Sequence, residues 1–218
     1  MIQLENVTKK FDGPSGKVTA LDNISLTLSA GELLVINGPS GCGKSTLLLT
    51  AAGMLRPDSG DIRLWDKRNP YDLSADQRSR LRAGSIGFVF QQFHLIPYLT
   101  VRENILTPLL SLDLENADAR AQELIEKFGL QDRSEHVPSQ LSTGERQRTA
   151  LARAVFNQPK IIFADEPTGN LDDDNAEIVL KDLDDYVTSG GSVLLVTHNA
   201  KAAEYATRAL KMKNGQLH

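Results

Sequence analysis

The stretch Gly38-Pro39-Ser40-Gly41-Cys42-Gly43-Lys44-Ser45 decides the fold of this chain, and it fits the pattern G-x-x-x-x-G-K-[ST] at every defined position. The apolar run Glu32–Asn37 before it predicts a buried strand, and the residues LLLTAAG after it predict a helix that ends at Gly53. A glycine-rich turn between a strand and a helix directs backbone N–H groups and the helix dipole at phosphate oxygens. The stretch therefore predicts a nucleotide-binding phosphate loop.

Within this phosphate loop, Lys44 is expected to reach the β- and γ-phosphates, and the Ser45 hydroxyl is suited to binding Mg²⁺. We interpret Cys42 as a small filler rather than a redox group; as the only cysteine of the chain it has no internal disulfide partner. The residues expected to contact the nucleotide here are Gly38, Pro39, Ser40, Gly41, Cys42, Gly43, Lys44, Ser45 and Thr46.

The overall composition is that of an ordinary globular protein. The chain has 218 residues, of which 40% are hydrophobic and 24% charged, and its formal net charge is −4. Collagen-like, disordered and disulfide-rich classes are excluded on these values. The apolar runs are strand-length and far shorter than the roughly 20 residues of a membrane-spanning helix, and no signal peptide is expected. The mild negative charge gives no support for binding nucleic acid.

Buried strands alternate with helices along most of the chain, which predicts a parallel α/β sheet. The first 30 residues instead predict antiparallel strands around a turn-rich loop at Phe11–Lys17. From Leu99 to Phe156 the pattern is helical, and we predict an inserted helical subdomain over residues 92–158 within one domain of residues 1–218. Other predicted strands are Asp61–Trp65, Ser85–Phe90, Ile161–Ala164 and Ser192–Thr197, and predicted helices include Ser74–Arg82, Ala117–Phe128 and Gly144–Phe156.

Two carboxylates follow the buried strand Ile161–Ala164. Ligands of open α/β sheets bind at the carboxyl ends of the strands, and unpaired carboxylates are costly to bury. Asp165 is therefore predicted to lie in the Mg²⁺ shell, and Glu166 to act as a general base that polarises the attacking water. The alternative is a solvated strand end that caps a helix.

With these residues in place, the chain resembles the ATP-binding cassette (ABC) ATPases over essentially its whole length. The resemblance depends on the order of further motifs, each weak alone. Gln91 resembles the Q-loop, Leu141-Ser142-Thr143-Gly144-Glu145 the signature motif, Asp165-Glu166 the Walker B site, Leu171-Asp172 the D-loop, and His198 the H-loop. The implied fold is a P-loop NTPase core with an N-terminal antiparallel β-subdomain and an inserted α-helical signature subdomain.

The resemblance implies roles residue by residue. Phe11 would stack on the adenine, unless it is a packed residue at a sheet edge. Gln91 would contact Mg²⁺ or water, and His198 would hydrogen-bond the γ-phosphate, unless it is a surface histidine. Ser142 and Gly144 would bind the γ-phosphate of the nucleotide held by a second copy of the chain, which implies an ATP-dependent head-to-tail homodimer.

Two residues depart from the family pattern, and the milder change is Glu145 in place of glutamine. Thr143 stands where the signature usually has glycine, and a β-branched residue disfavours positive φ. The backbone there either differs from the family or does not need glycine.

The stretch DEPTGNLD (165–172) and the segment Phe93–Thr100 resemble the branch that contains lipoprotein-releasing (LolD-like), macrolide-efflux (MacB-like) and cell-division (FtsE-like) ATPases. In that branch a membrane protein binds to the helical subdomain. Five of the eight residues Phe93–Thr100 are apolar or aromatic, so this segment is a candidate surface for a separate membrane permease. The alternative is that it belongs to the subdomain core.

The resulting expectation is an ATP-hydrolysing subunit of a transporter for export or for lipoprotein or lipid extraction. It would work in the cytoplasm, peripheral to the inner face of a bacterial cell membrane. A second hypothesis is an FtsE-like ATPase that transports nothing and transmits force to a membrane partner. A soluble ABC ATPase of DNA repair or translation is disfavoured, because the chain has neither a coiled-coil insertion nor a second cassette.

Overall fold

The structure, a computed structural model, describes residues 1–13, 16–65, 69–111 and 114–218. Its described helices and strands follow one another in the order expected of an α/β chain. The strands are β1 (Ile2–Gly13), β2 (Gly16–Leu28), β3 (Leu33–Asn37), β4 (Ser59–Arg63), β5 (Ile86–Val89), β6 (Ile161–Asp165), β7 (Ser192–Thr197), β8 (Arg208–Lys213) and β9 (Gln216–Leu217). The α-helices are α1 (Lys44–Ala51), α2 (Ala75–Ser85), α3 (Val101–Leu106), α4 (Ala117–Lys127), α5 (Thr143–Val155) and α6 (Asp173–Thr188).

The strands form two sheets. A small antiparallel sheet has the order β2-β1-β4, with Leu4 opposite Leu26 on one side and Ile62 on the other. The larger sheet has the order β5-β6-β7-β3-β8-β9, and every pairing in it is parallel except that of β8 with β9. The predicted parallel core and antiparallel N-terminal subdomain are thus both present.

Strand β3 shows how the large sheet separates two hydrophobic cores. Its side chains alternate between faces because successive residues of a strand point to opposite sides. Leu33 and Val35 pack in a core with helices α3 to α6, whereas Leu34 and Ile36 pack in a core shared with the small sheet and α1. The phosphate loop leaves β3 at its carboxyl end, between these two layers.

Several local predictions are confirmed by the helix ends. Ser74 caps α2 and forms a capping box with Gln77, since each side chain bonds the other residue's backbone. Gly129 follows α4 with a φ of 62°, which is the left-handed conformation that ends a helix. The described residues between β5 and β6 form helices and turns, as expected for the helical insertion.

Three predicted boundaries are wrong. Helix α2 runs to Ser85 and not to Arg82, so the strand predicted from Ser85 begins at Ile86. The Phe11–Lys17 stretch is mostly strand, because β1 and β2 stay paired through Phe11–Val18 and Asp12–Lys17 up to Gly13–Gly16. Opposite charges at the Asp12–Lys17 pair favour this cross-strand register. The strand predicted at Asp61–Trp65 begins at Ser59 and ends at Arg63, where its pairing with β1 ends.

Candidate active site

The phosphate loop is a tight turn against the C-terminal hairpin and β2. A Cβ on Gly43 would stand 2.2 Å from the Ala20 carbonyl oxygen, and Gly43 has a φ of 110°, so only glycine fits this position. Gly43 is also the N-cap of α1 and has no side chain to cap the helix. The first-turn amides of α1 are therefore positioned to bind an anion. Cys42 is buried and packs in the core, in line with its interpretation as a filler.

Lys44 is buried inside its own loop. Its ammonium group donates to the carbonyl oxygens of Gly38 at 2.7 Å and Pro39 at 3.1 Å. The same Nζ lies 3.3 Å from Glu166 Oε1. The loop thus holds a positive charge where phosphate oxygens would be received, and it connects that charge directly to the carboxylate pair.

Glu166 is the centre of the cluster. It lies just after β6 with a φ of 47°, and its side chain is buried. Its Oε2 accepts hydrogen bonds from the Thr197 hydroxyl at 3.0 Å and the His198 N–H at 3.0 Å, and it lies 2.8 Å from His198 Nδ1. A non-glycine residue in this backbone conformation is strained, and such strain is typical of functional sites.

Asp165 ends β6 beside Glu166 and points into the site. Burial raises the pKa of its carboxyl group, and a hydrogen bond with the Ser45 hydroxyl opposes that increase. Among the residues that the structure describes, its buried Oδ1 has no hydrogen-bond partner. Carboxylate and hydroxyl oxygens of this kind are suitable ligands for Mg²⁺.

Gln91 lies at the edge of the same cluster. Its main-chain carbonyl accepts a hydrogen bond from Asn170 Nδ2 at 2.8 Å. Its side-chain nitrogen would stand 3.3 Å from a Cβ on Gly169, three residues beyond Glu166. The Q-loop residue and the stretch after the carboxylate pair are therefore in contact.

Phe11 is 42% exposed on β1, with Lys9 Nζ 5.6 Å from its ring centroid. It pairs with Val18, two residues along β2 from Ala20, whose carbonyl oxygen lies against Gly43. The ring is thus an accessible aromatic surface on the strand pair that borders the phosphate loop.

The signature residues lie at the start of α5. Ser142 is its exposed N-cap and forms a capping box with Glu145, whose pKa is held below its ordinary value chiefly by the Ser142 N–H. Thr143 is the first helical residue, so its backbone needs no glycine and the departure from the family pattern is accommodated. A Cβ on Gly144 would meet Asn175 Oδ1 at 2.6 Å, so a larger residue there would require the Asn175 side chain to move.

The structure therefore brings one group of predicted residues together and leaves another apart. The phosphate loop, Asp165, Glu166, His198 and Gln91 form one connected cluster. Within the described part of the chain, the hydrogen bonds of the signature motif run to Pro138, to Arg133 and within the start of α5, and Gly144 packs against α6. None of these contacts reaches the phosphate loop.

Three contact residues were missed by sequence reasoning. The Thr197 hydroxyl donates a hydrogen bond to Glu166, and the Asn170 amide donates one to the Gln91 carbonyl. The Arg153 guanidinium donates to the carbonyls of Phe93 and His94 at 2.7 Å each. Only Thr197 had a sequence signal, since it is a polar residue at the end of an apolar strand beside His198.

The fold and the site together define a P-loop nucleoside triphosphatase. The family described as ABC transporter matches residues 21–169. An ABC transporter ATP-binding protein of Methanocaldococcus jannaschii is 42% identical over 219 residues, which cover 100% of this chain and 97% of that protein. The macrolide export ATP-binding/permease protein MacB of Chlorobaculum tepidum is 42% identical over 217 residues, which cover 99% of this chain and 33% of MacB.

A solved structure of a dimeric ATP-binding cassette, in a post-hydrolysis state bound to ADP and Pi, superposes with a TM-score of 0.92. It is 36% identical and the match covers 100% of this chain and 97% of that one. The chain belongs to the ABC transporter family. It is an ATP-binding and ATP-hydrolysing subunit of the kind found in these transporters. The predicted fold class, ATPase activity and ATP ligand are thereby confirmed. Among the described residues, no helix combines the length and apolar character needed to cross a bilayer.

Proposed function

We propose that this chain hydrolyses ATP as a head-to-tail homodimer at the inner face of the cell membrane, where it drives a separate membrane permease. The observation that carries the proposal is the division of the motif residues within one chain. Lys44, Glu166 and His198 are in contact, while the exposed Ser142 lies on a different element with other neighbours. Phosphoryl transfer needs charge neutralisation on all sides of the γ-phosphate, so a second copy must supply Ser142 and Gly144.

In this proposal each residue of the cluster has one task. The phosphate loop binds the phosphates through its backbone and Lys44, and Phe11 stacks on the adenine. Glu166 accepts a proton from the attacking water, and His198 and Gln91 orient the γ-phosphate and the water. Residues 1–218 form one ATPase domain, with residues 92–158 as its inserted helical subdomain.

Mg²⁺ fits the proposed site. Asp165 has a buried carboxylate oxygen without a partner in the described part of the chain, and it lies next to the Ser45 hydroxyl. Mg²⁺ is commonly held by one or two protein oxygens together with substrate phosphates. Ser45, Asp165 and Gln91 would hold the ion, which neutralises phosphate charge when bound.

The proposed permease surface is the Phe93–Thr100 segment. All eight of its residues are at least partly exposed, and the Tyr98 side chain is 78% exposed, which does not suit a core segment. Arg153 fastens the start of this segment to α5, the helix that begins with the signature. A movement of the segment would therefore be transmitted to Gln91, which precedes it in the chain, and through α5 to the signature motif. The fused permease of MacB supports a membrane partner for this chain as well.

The test is co-purification of the full chain from membranes in mild detergent, with identification of bound polypeptides. The wild-type chain is expected to retain a polypeptide with several membrane spans. The double variant Leu95→Glu/Tyr98→Glu should lose that polypeptide and keep its basal ATPase activity. A matched control is Met54→Glu, which also charges an exposed apolar side chain but lies after α1, and it should retain the partner. Retention by the double variant would contradict the surface, and loss of its basal activity would favour the core interpretation.

A further inference from the structure

Thr197 belongs to none of the recognised motifs, yet its hydroxyl lies inside the catalytic cluster. It is the last residue of β7 and only 1% exposed. Its Oγ1 lies 3.0 Å from Glu166 Oε2 and 2.9 Å from the main-chain nitrogen of Asn199. One buried side chain thus contacts both Glu166 and the turn that carries His198.

The hydrogen-bond partners determine which way the Thr197 hydroxyl points its proton. The Asn199 N–H is a donor and therefore occupies a lone pair of Oγ1. A hydroxyl has a single proton, so that proton is left for Glu166 Oε2. The contact with Glu166 is accordingly a donated, charge-assisted hydrogen bond when the carboxylate is ionised.

The two oxygens of Glu166 are held in different ways. Oε2 accepts from the Thr197 hydroxyl and the main-chain N–H of His198, which belong to the end of a fully buried strand and to the residue after it. It also lies 2.8 Å from Nδ1 of the His198 ring. Oε1 faces only the ammonium group of Lys44 at 3.3 Å, among the partners that the structure describes. Lys44 is the side chain that phosphate loops direct at the β- and γ-phosphates. Bound ATP would therefore engage Lys44, the partner of Oε1, together with the His198 ring, while the Thr197 hydroxyl and the His198 main-chain N–H stay on Oε2.

We propose that Thr197 is a positioning residue, which anchors Oε2 of Glu166 so that Oε1 is the oxygen that takes the proton. The inference rests on the proposed role of Glu166 as the base. In the step, a proton passes from water to Oε1, and the water oxygen bonds to the γ-phosphorus. The bond from that phosphorus to the bridging oxygen breaks, and its electron pair leaves with ADP.

The first test compares Thr197→Val, which keeps the shape but removes the hydroxyl, with Thr197→Ser, which keeps the hydroxyl. The valine variant should lose kcat on the order of 10- to 100-fold, the range of a hydrogen bond to a charged group. Its Kd for ATP, measured by calorimetry, should stay that of the wild type because Thr197 lies behind Glu166. The serine variant should restore most of kcat. Wild-type kcat in the valine variant would overturn the proposal, as would an equal loss in the serine variant.

The second test places Thr197→Val in a Glu166→Gln background and measures single-turnover hydrolysis. If the hydroxyl acts through Glu166, the double variant should be as slow as Glu166→Gln alone, because residues that act as a unit are not additive. A further loss in the double variant would overturn the inference. If Glu166→Gln itself turns over normally, the base assignment fails first, and that result is distinguishable from a failure of Thr197. Thermal unfolding of each variant controls for folding, and Thr197→Ala replaces the valine variant if the latter does not fold.

Discussion

At the scale of the residue, Lys44, which we propose binds the phosphates, is a buried charge. A lysine is rarely fully buried unless its charge is paired and hydrogen-bonded. Here Nζ has two loop carbonyls and the Glu166 carboxylate as partners, so the charge is tolerated at 6% exposure. Phosphate oxygens can replace these oxygen atoms as partners of the ammonium group while it stays buried.

We predict that Lys44→Ala lowers the affinity for ATP on the order of 100-fold, since it removes one or more charge-assisted hydrogen bonds to the phosphates. Isothermal titration calorimetry with ATP measures the change. Lys213→Ala, at an exposed position before the last turn, is the matched control and should bind as the wild type does. An unchanged affinity in Lys44→Ala would contradict the phosphate-loop assignment.

At the scale of elements, helix α3 organises the segment proposed to receive the permease. Asn104 is completely buried in α3, and its side-chain amide donates to the carbonyls of Ile96, Leu99 and Thr100. Its Oδ1 accepts from the Ile96 N–H at 2.8 Å. One asparagine side chain thus provides hydrogen-bond partners for backbone groups of a loop that is not part of a helix or a sheet. Arg153 in α5 performs the same task at the beginning of the segment.

We predict that Asn104→Leu lowers the free energy of unfolding by about 2 to 4 kcal/mol, because it leaves several part-buried backbone groups without partners. Urea denaturation followed by circular dichroism gives this value. Arg102→Ala lies in the same helix, but its ion pair with Asp118 is exposed on both sides, so it should cost less than about 1 kcal/mol. Equal effects of the two variants would show that Asn104 does not hold the loop.

The elements also show what the sequence could predict. Apolar periodicity marked β3, β6, β7 and α5, because burial on a strand or a helix repeats every two residues or every 3.6. The glycine, proline and serine residues of Phe11–Lys17 are turn formers and predict a loop, while the cross-strand pairs that extend the strands to Gly13 and Gly16 leave no local pattern. Arg153 leaves no local pattern either, because its partner Phe93 lies 60 residues away in the sequence. Thr197 is visible as a polar residue at the end of an apolar strand, but its partner Glu166 lies 31 residues away and is not indicated by that pattern.

At the scale of the whole molecule, the chain presents its motif residues as two complementary halves. One half is the buried cluster around Glu166, which includes Lys44 and His198. The other is the exposed N-terminus of α5, where the Ser142 hydroxyl accepts only the first-turn N–H of Glu145 among the described partners. The similar cassette solved as a dimer with ADP and Pi is consistent with joining these halves between two copies. The Thr143 substitution leaves the helical start of the second half unchanged.

The most direct test of this account is the mass of the Glu166→Gln chain in solution with and without Mg-ATP, measured together with its rate of ATP hydrolysis. We predict a monomer without nucleotide, a stable dimer with ATP and almost no turnover. Adding Ser142→Arg to Glu166→Gln should keep ATP binding in calorimetry but abolish the dimer, because arginine would occupy the place of the partner's γ-phosphate. A double variant that still dimerises with ATP, or normal turnover of Glu166→Gln, would contradict the account.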